Sequence, residues 1–252
     1  MISKNRIKYI RSLEQKKKRR EEGLFVAEGP KLVEDLLGCF SCPFLAATEN
    51  WWMQHERMAV KIEETAVITS EELIKTSLQQ HPQEVIALFR QPSYEIDFTA
   101  PAHMLCLALD GVQDPGNLGT IIRLADWFGI EHIFCSKSTV DLYNPKVVQA
   151  TMGALARVKV HYLSLEKFIQ NLNPKIPIYG TFLEGENLYG LSLSQNGLIV
   201  MGNEGNGVSP EIASFVTQKL YIPNYPSDRH TSESLNVAIA TAVVCAEFRR
   251  RS

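Results

Sequence analysis

Short apolar runs alternate with polar turns along the whole chain. In the first part, Leu24–Ala27, Pro43–Ala47 and Val85–Phe89 predict strands. In the second, strands are predicted at Met104–Leu109, His132–Cys135, Val158–His161, Ile178–Phe182, Leu198–Met201 and Leu220–Ile222. Runs this continuously apolar predict a sheet covered on both faces, hence largely parallel. Helices fall between the strands. A basic stretch opens the chain as helix, Gly29-Pro30 starts another that runs through Leu37, and Pro145–Leu155 begins with proline in its first turn. The last helix runs from Ser234 to about Arg250 and carries Leu235, Ala238, Ile239, Ala242 and Ala246. Its small residues permit close packing against the sheet or against another subunit. The rhythm predicts two α/β domains, at 1–90 and 103–252. Residues 91–102 hold two prolines and no clear periodicity, and so predict a linker. No internal repeat or low-complexity segment is present.

The strand Met104–Leu109 ends in Asp110-Gly111-Val112-Gln113-Asp114-Pro115-Gly116-Asn117, and a helix follows at once. A helix N-terminus carries unpaired N–H groups and partial positive charge. In that helix Ile121, Leu124, Ala125 and Phe128 follow i, i+3, i+4, i+7 spacing, and Gly129 suits the C-terminal cap. At about 100° per residue, Arg123 points away from this stripe. The helix therefore buries one face and holds a guanidinium out on the other.

Bulk properties narrow the picture only a little. The chain has 252 residues, 45% hydrophobic and 21% charged, with a net charge of −2. Global charge therefore argues for no partner, but its distribution does: Lys4 to Arg20 contains nine Lys or Arg residues and one acid, Glu14. No apolar run approaches the ~18–20 residues needed to span a bilayer. The basic N-terminus lacks an apolar core behind it and does not read as a secretory signal. Five cysteines, an odd number, suggest reduced thiols in a cytoplasmic protein. Cys39 and Cys42 form one C-x-x-C with no second pair or nearby histidines, so no metal is expected.

Two further loops share the character of the first. Gly202-Asn203-Glu204-Gly205-Asn206-Gly207 follows the strand Leu198–Met201. Its three glycines allow positive φ and close approach of a ligand, although a plain tight turn would use them too. It is neither a Walker A loop nor a dinucleotide fingerprint. Glu233-Ser234-Leu235-Asn236-Val237 opens the last helix, with Ser234 as an N-cap. Asn236, a modest helix former, then needs another explanation. Ligands in α/β sheets bind beyond the carboxyl ends of strands, where these loops lie.

Together the loops resemble a known family. Asp114-Pro115-x-Asn117-x-Gly119-x-x-x-Arg123, Gly202-x-Glu204-Gly205-x-Gly207, and Ile222-Pro223 with Ser234-Leu235-Asn236-Val237 look like the three ordered motifs of SpoU/TrmH-type methyltransferases of the SPOUT superfamily. The likeness spans residues 104–250. Asp141 to Val148 and Gly153-Ala154 also look family-like. Phe25-Val26-Ala27-Glu28-Gly29 and Lys31-Leu32-Val33-Glu34 resemble the substrate-binding domain that often precedes the catalytic one, similar to the ribosomal L30e protein. Asn224–Glu233 is longer than the family usually has and lacks the glycine often found there.

The resemblance implies an α/β fold: a SPOUT trefoil-knot domain with a mainly parallel sheet, behind a small L30e-like RNA-binding domain. It implies a homodimer formed through the C-terminal domain, and S-adenosylmethionine as cofactor. Cofactor contacts are implied at Thr181, Phe182, Leu183, Gly202, Gly205, Gly207, Ile222, Leu235 and Asn236. Catalysis and site organisation are implied at Asn117, Arg123, Glu204, Ser234 and Asn236. The family reaction is methyl transfer to a ribose 2′-oxygen of RNA, and ribosomal RNA is preferred here to tRNA. Arg123 never loses its proton in a protein, so it reads as a positioning and electrostatic group rather than a base. Lys16, Lys17, Lys18, Arg19 and Arg20, with Arg123, read as RNA contacts, and Arg249-Arg250-Arg251 either does the same or solubilises the terminus. Two alternatives stay open: a non-catalytic RNA-binding or ribosome-associated protein on the same fold, and a base-methylating SPOUT enzyme.

Overall fold

The computed structural model of the protein describes residues 2–226 and 234–250. In chain order its elements are α1 (Lys4–Ser12), α2 (Lys16–Glu22), β1 (Leu24–Glu28), α3 (Pro30–Leu37), β2 (Phe44–Ala47), α4 (Glu49–His55), β3 (Thr65–Val67), α5 (Ser70–Thr76) and β4 (Val85–Arg90). Then follow α6 (Ala100–His103), β5 (Leu105–Leu109), α7 (Pro115–Trp127), β6 (His132–Ser136), α8 (Pro145–Thr151), β7 (Lys159–Leu163) and α9 (Leu165–Gln170). The chain closes with β8 (Ile178–Asn187), β9 (Gly197–Met201), α10 (Pro210–Ala213), β10 (Gln218–Tyr221) and α11 (Val237–Arg250). No helix among the described residues is long and apolar enough to cross a membrane.

Two compact units form. The first holds Met1–Ser93 together with Asp141–Ala156, so α8 belongs to it although it lies far along the sequence. Its sheet runs β1-β4-β2-β3, antiparallel except for the β2–β3 pair. Side chains of β1 alternate between two cores. Leu24 and Val26 join Ile10, Leu13 and Leu73, while Phe25 packs on Phe40, Phe89 and Tyr143. The basic N-terminal stretch divides into α1 and α2, and Gly23, in the left-handed region at φ +64°, closes α2. Strand β3 is absent from the sequence expectations because it is three residues long, at the sheet edge, with two of its three side chains exposed. Helix α8 stops earlier than its apolar pattern suggests. Met152 and Gly153 take consecutive left-handed conformations there, which no α-helix continues through.

The second unit holds Tyr94–Val140 and Arg157–Ser252. Its six strands are ordered β10-β8-β9-β5-β6-β7, and every described pairing is parallel. From β5 the chain builds outward through β6 and β7, then returns to the other side of β5 to lay down β8, β9 and β10. The order reverses between β5 and β9. That switch point is where two neighbouring loops diverge and leave a crevice at the carboxyl ends of the strands. Strand β8 is longer than expected. Between Lys219↔Gly180 and Leu220↔Glu186 the ladder skips, so residues 181–185 stand out of register. The knot implied by the resemblance involves the passage from β10 to α11, and residues 227–233 of it lie outside the described residues.

Helices α7 and α11 pack against each other and run parallel. Asn236 and Asn117 join their N-terminal ends, and Arg249 donates to the carbonyls of Phe128 (2.7 Å) and Gly129 (3.1 Å) at the C-terminal end of α7. The buried stripe of α7 is Leu118, Ile121, Ile122 and Ala125, with Arg123 exposed as expected. Leu124 and Phe128 are only half-buried, so the stripe is rotated slightly from the predicted one.

A pair of histidines is enclosed between β6 and β7. His132 Nδ1 lies 3.2 Å from His161 Nε2, and the rings stack 7° from parallel. Burial, then the neighbouring His132 and Lys159, pushes His161 down to about 4, and burial also lowers His132. Asp97 and Glu131 partly oppose the shift at His132. Each folded-state value lies below the unfolded value, so the native state binds fewer protons. The stability these groups confer is therefore complete above about pH 6.5 and is lost as pH falls through their lowered values, toward about 4 for His161. Unfolding free energies from urea titrations at pH values in that window should fall on acidification by up to about 1.4 kcal/mol per pH unit for each group. His161→Phe should flatten that slope, and an unchanged slope would show that other groups set it.

Candidate active site

The loops after β5 and β9 are adjacent because their strands are, and Asp110 N–H donates to Met201 O (2.9 Å) at the crevice floor. Asp114 caps α7 by accepting from Asn117 N–H (2.8 Å), and Pro115 takes the first helical position, where no N–H is needed. The Gly202–Gly207 loop is closed by paired backbone hydrogen bonds between Asn203 and Gly207, at 2.8 and 2.9 Å. Asn203 does more than sequence suggested. Its Oδ1 accepts from the N–H groups of Gly205 and Asn206, both at 3.0 Å, while its Nδ2 donates to Gly111 O (2.7 Å). Asn is suited to this because its short amide folds back on the following backbone. Ser209 N–H also donates to Asp110 Oδ2 (2.8 Å), a second tie between the loops.

Glu204 is the centre of the arrangement. Its carboxylate accepts from the N–H groups of Gln113 and Asp114, each 3.2 Å, and from Asn117 Nδ2 at 3.0 Å. Asn117 Oδ1 in turn accepts from Asn236 Nδ2 (2.9 Å). Asn236 Oδ1 accepts from the N–H groups of Ala238 (2.9 Å) and Ile239 (3.3 Å) at the start of α11. One chain of side-chain amides thus joins all three loops. Partial burial opposes ionisation of Glu204. The donated hydrogen bonds, led by Asn117, outweigh it and hold the carboxyl below its ordinary range. A low-pKa carboxylate surrounded by donors accepts hydrogen bonds but is a poor base, so Glu204 organises the loops.

This geometry corrects the reading of the last motif. Asn236, not Ser234, caps α11, and the helix begins at Val237. The unexplained asparagine is the cap and the relay at once. Ser234 and Leu235 are exposed just before it.

The glycines also divide by role. A Cβ on Gly202 would sit well inside contact distance of the backbone of Gly207 and Val208, so glycine is required for the loop to close on itself. Gly207 has φ +69°. Gly205 has room for a Cβ, which would meet only Asn203 Oδ1 at 3.6 Å. Thr181 and Phe182 are half-buried and Leu183 is exposed in the out-of-register part of β8, while Ile222 is half-buried just after β10. Thr181 Oγ1 lies 4.0 Å from Met201 Sδ, and Lys219 Nζ sits 4.9 Å over the Phe182 ring.

Arginines sort by partner. In the second unit Arg157 pairs with Asp126, Arg250 with Glu247, and Arg249 holds the α7 carbonyls. Arg249 and Arg250 therefore have structural tasks, and Arg251 lies outside the described residues. Arg123 is exposed and engages none of the described residues. In the first unit Arg19 leaves the expected RNA-binding set. It is 2% exposed, donates to the carbonyls of Leu13 (2.8 Å) and Glu14 (2.6 Å), and pairs with Asp141. Lys17 and Lys18 approach Glu21 and Glu22, leaving Lys16 and Arg20 as the exposed members of the run without an ion pair to the described residues. The cysteines are free thiols, with Cys39 exposed; burial raises Cys42, Cys106 and Cys245 to about 12. No cluster among the described residues could hold a metal ion.

Residues 104–246 match the model of the SpoU rRNA methylase family. The chain belongs to that family. Residues 4–87 match the MRM3-like substrate binding domain. A relative in Bacillus subtilis, the 23S rRNA (guanosine(2553)-2′-O)-methyltransferase RlmP, is 28% identical and matches across 97% of this chain and 96% of its own. Two solved structures are similar throughout. A putative RNA methyltransferase of the TrmH family from Porphyromonas gingivalis is 41% identical with TM-score 0.87, covering 100% of both chains. An AdoMet-bound rRNA methyltransferase from Sinorhizobium meliloti is 30% identical with TM-score 0.85, covering 100% of this chain and 96% of its own.

Proposed function

We propose that this SpoU-family protein transfers a methyl group from S-adenosylmethionine to a ribose 2′-hydroxyl of RNA, and that ribosomal RNA rather than tRNA is its substrate. The observation that carries the reading is the Glu204–Asn117–Asn236 relay, set at the switch point of a parallel sheet, with the exposed Arg123 on the same helix as Asn117 and held by none of the described residues. The full-length similarity to a 23S rRNA 2′-O-methyltransferase supports the choice of RNA class.

The residues present suit the cofactor. Gly202, Gly205 and Gly207 form a preformed loop whose turn is closed by its own hydrogen bonds. Thr181, Phe182, Leu183, Ile222 and Leu235 present mostly apolar side chains, and Leu183 and Leu235 are 69% and 50% exposed. An adenosyl group resting on them would remove that surface from water. When bound, the cofactor supplies a methyl already activated by its sulfonium, so the protein's task is alignment. Arg123 holds the ribose-phosphate and stabilises charge developing on the 2′-oxygen. Its proton stays in place, and an RNA phosphate it orients can accept the hydroxyl proton instead. Asn117 and Asn236 fix the two loops, and Ser234 orients the ribose.

Residues 1–90 serve as the RNA-docking domain, with Lys16, Lys17, Lys18 and Arg20 toward phosphates, and residues 103–252 as the methyltransferase domain. Trp127 on α7 is 84% exposed and Ile239 on α11 is 53% exposed. Two such side chains on adjoining helices support a homodimer through this unit. Free thiols and bacterial relatives support a cytoplasmic location.

Mapping 2′-O-methyl positions in rRNA and tRNA from cells with and without the protein tests the proposal. One rRNA position should lose its methyl when the protein is absent. A missing tRNA methyl would move the substrate class, a missing base methyl would favour the base-methylating alternative, and no cofactor binding by calorimetry would favour a non-catalytic RNA-binding protein.

A further inference from the structure

Three hydroxyl side chains stand within four residues where β6 ends: Ser136, Ser138 and Thr139. Their loop lies beside the turn after β5, because β5 and β6 are neighbours, paired in parallel as far as Leu109↔Cys135. Beyond that pair, side chains extend the backbone ladder. Gly111 N–H donates to Ser136 Oγ (2.9 Å), and the buried Thr139 donates its hydroxyl to Leu109 O (3.1 Å). Val140 N–H donates to Val112 O (2.9 Å). The loop after β6 therefore grips residues 109–112 at three points.

The protons of this cluster have one consistent arrangement. A hydroxyl has a single proton and two lone pairs. That of Thr139 is committed to Leu109, so Ser136 is the donor across the 3.2 Å between Ser136 Oγ and Thr139 Oγ1. The lone pairs of Ser136 then serve Gly111 N–H and the hydroxyl of Ser138, 2.9 Å away. Ser136 is bonded to every other member. On the opposite side, Gly111 O accepts from Asn203 Nδ2 (2.7 Å). Gly111 is thus held at both its polar atoms, and a Cβ there would already meet Ser138 Oγ at 3.4 Å and Asn203 Cβ at 3.7 Å. The residues that follow carry the site. Gln113 and Asp114 N–H groups donate to Glu204, and Asp114 caps the helix that bears Asn117 and Arg123.

We propose that Ser136 is a positioning residue for methyl transfer: through the Gly111 turn it sets the two N–H groups that hold Glu204 and the start of α7. In this role it touches neither RNA nor cofactor. The assignment rests on the reading of the protein as an RNA methyltransferase, and it adds the loop after β6 to the three motif loops of the site. Reactions that depend on alignment lose turnover when a supporting loop shifts, even where binding survives. A hydroxyl that served only the fold would lower Tm and leave the turnover of each folded molecule intact.

The test compares Ser136→Thr with Ser136→Val in the full chain, since the two side chains share a shape and differ in the hydroxyl. Ser136→Val should lower kcat, normalised to folded protein, roughly tenfold, the upper end for one neutral hydrogen bond. Cofactor affinity by calorimetry should stay near that of the unaltered protein, and Ser136→Thr should keep most of the turnover. The acid limb of the pH–rate profile should move to higher pH in Ser136→Val, because Glu204 is held ionised in part by the Gln113 and Asp114 N–H groups. Amide hydrogen exchange of 110–117 should quicken in the same variant, a readout that needs no methyl transfer. Thr139→Val, which frees Leu109 O instead, should act in the same direction on exchange and turnover. Unchanged kcat and exchange in Ser136→Val, or equal losses in Ser136→Thr and Ser136→Val, would overturn the assignment while leaving methyl transfer intact. Failure of the unaltered protein to methylate any RNA would overturn the underlying reading, with the exchange comparison still deciding whether Ser136 holds the turn.

Discussion

Arg123→Ala should lower kcat/KM for RNA methylation by roughly 10²–10³-fold, the loss usual when one preorganised donor to a developing oxyanion is removed. Cofactor affinity should change little, because Arg123 projects from the exposed face of α7 and the residues proposed to hold the cofactor lie on β8, the β9 loop and the approach to α11. Stability should also hold. The side chain engages none of the described residues, and surface substitutions of this kind stay within about 0.5 kcal/mol. Arg123→Lys should recover little, since an ammonium cannot reproduce the planar two-pronged grip on a phosphate. Methylation assays with labelled cofactor, beside calorimetric titration of the same variants, separate these outcomes. Near-normal turnover in Arg123→Ala would remove the residue from the mechanism.

Two properties set Arg123 apart, its direction and its freedom from partners among the described residues. Its direction was legible in the sequence, because the apolar spacing of α7 leaves position 123 on the outer face. Its freedom was not. Seven other arginines, Arg6, Arg11, Arg19, Arg90, Arg157, Arg249 and Arg250, are tied to carboxylates or carbonyls. Nothing in a linear pattern separates Arg19, which is buried, from Arg20 beside it, which is exposed. The partner of Arg19, Asp141, is more than a hundred positions away. Motif glycines and strand runs are local signals and were readable. The relay from Glu204 through Asn117 to Asn236 is a contact between three loops, and only the strand order that puts β5 beside β9 brings them together. The same distinction explains the last motif: Ser234 is as good a cap as Asn236 by residue type, and the choice between them is made by which one can also reach Asn117.

Gly202→Ala should be the most damaging single methyl group in the second unit. The added carbon would press on backbone atoms of Gly207 and Val208, which cannot rotate away as a side-chain tip can. Overpacking of this kind costs about 1–3 kcal/mol even where side chains can adjust. With a chain of this size, Tm should fall by at least about 2–4 °C for each kcal/mol lost. The damage should not stop at stability. Opening the Gly202–Gly207 turn breaks the Asn203–Gly207 bridge, shifts Glu204, and with it the hydrogen bond that orients Asn117. Cofactor binding and methyl transfer should therefore fail together in whatever fraction remains folded. Gly205→Ala is the control in the same loop, since its Cβ would meet only a side-chain oxygen at ordinary contact distance. It should keep the native Tm. If it nevertheless weakens cofactor binding, the outer face of the loop touches the cofactor; if binding is unchanged, the loop contributes through its shape and through Glu204. A Gly202→Ala protein with native Tm and cofactor affinity would show that the turn can relax, and that the relay does not depend on its closure.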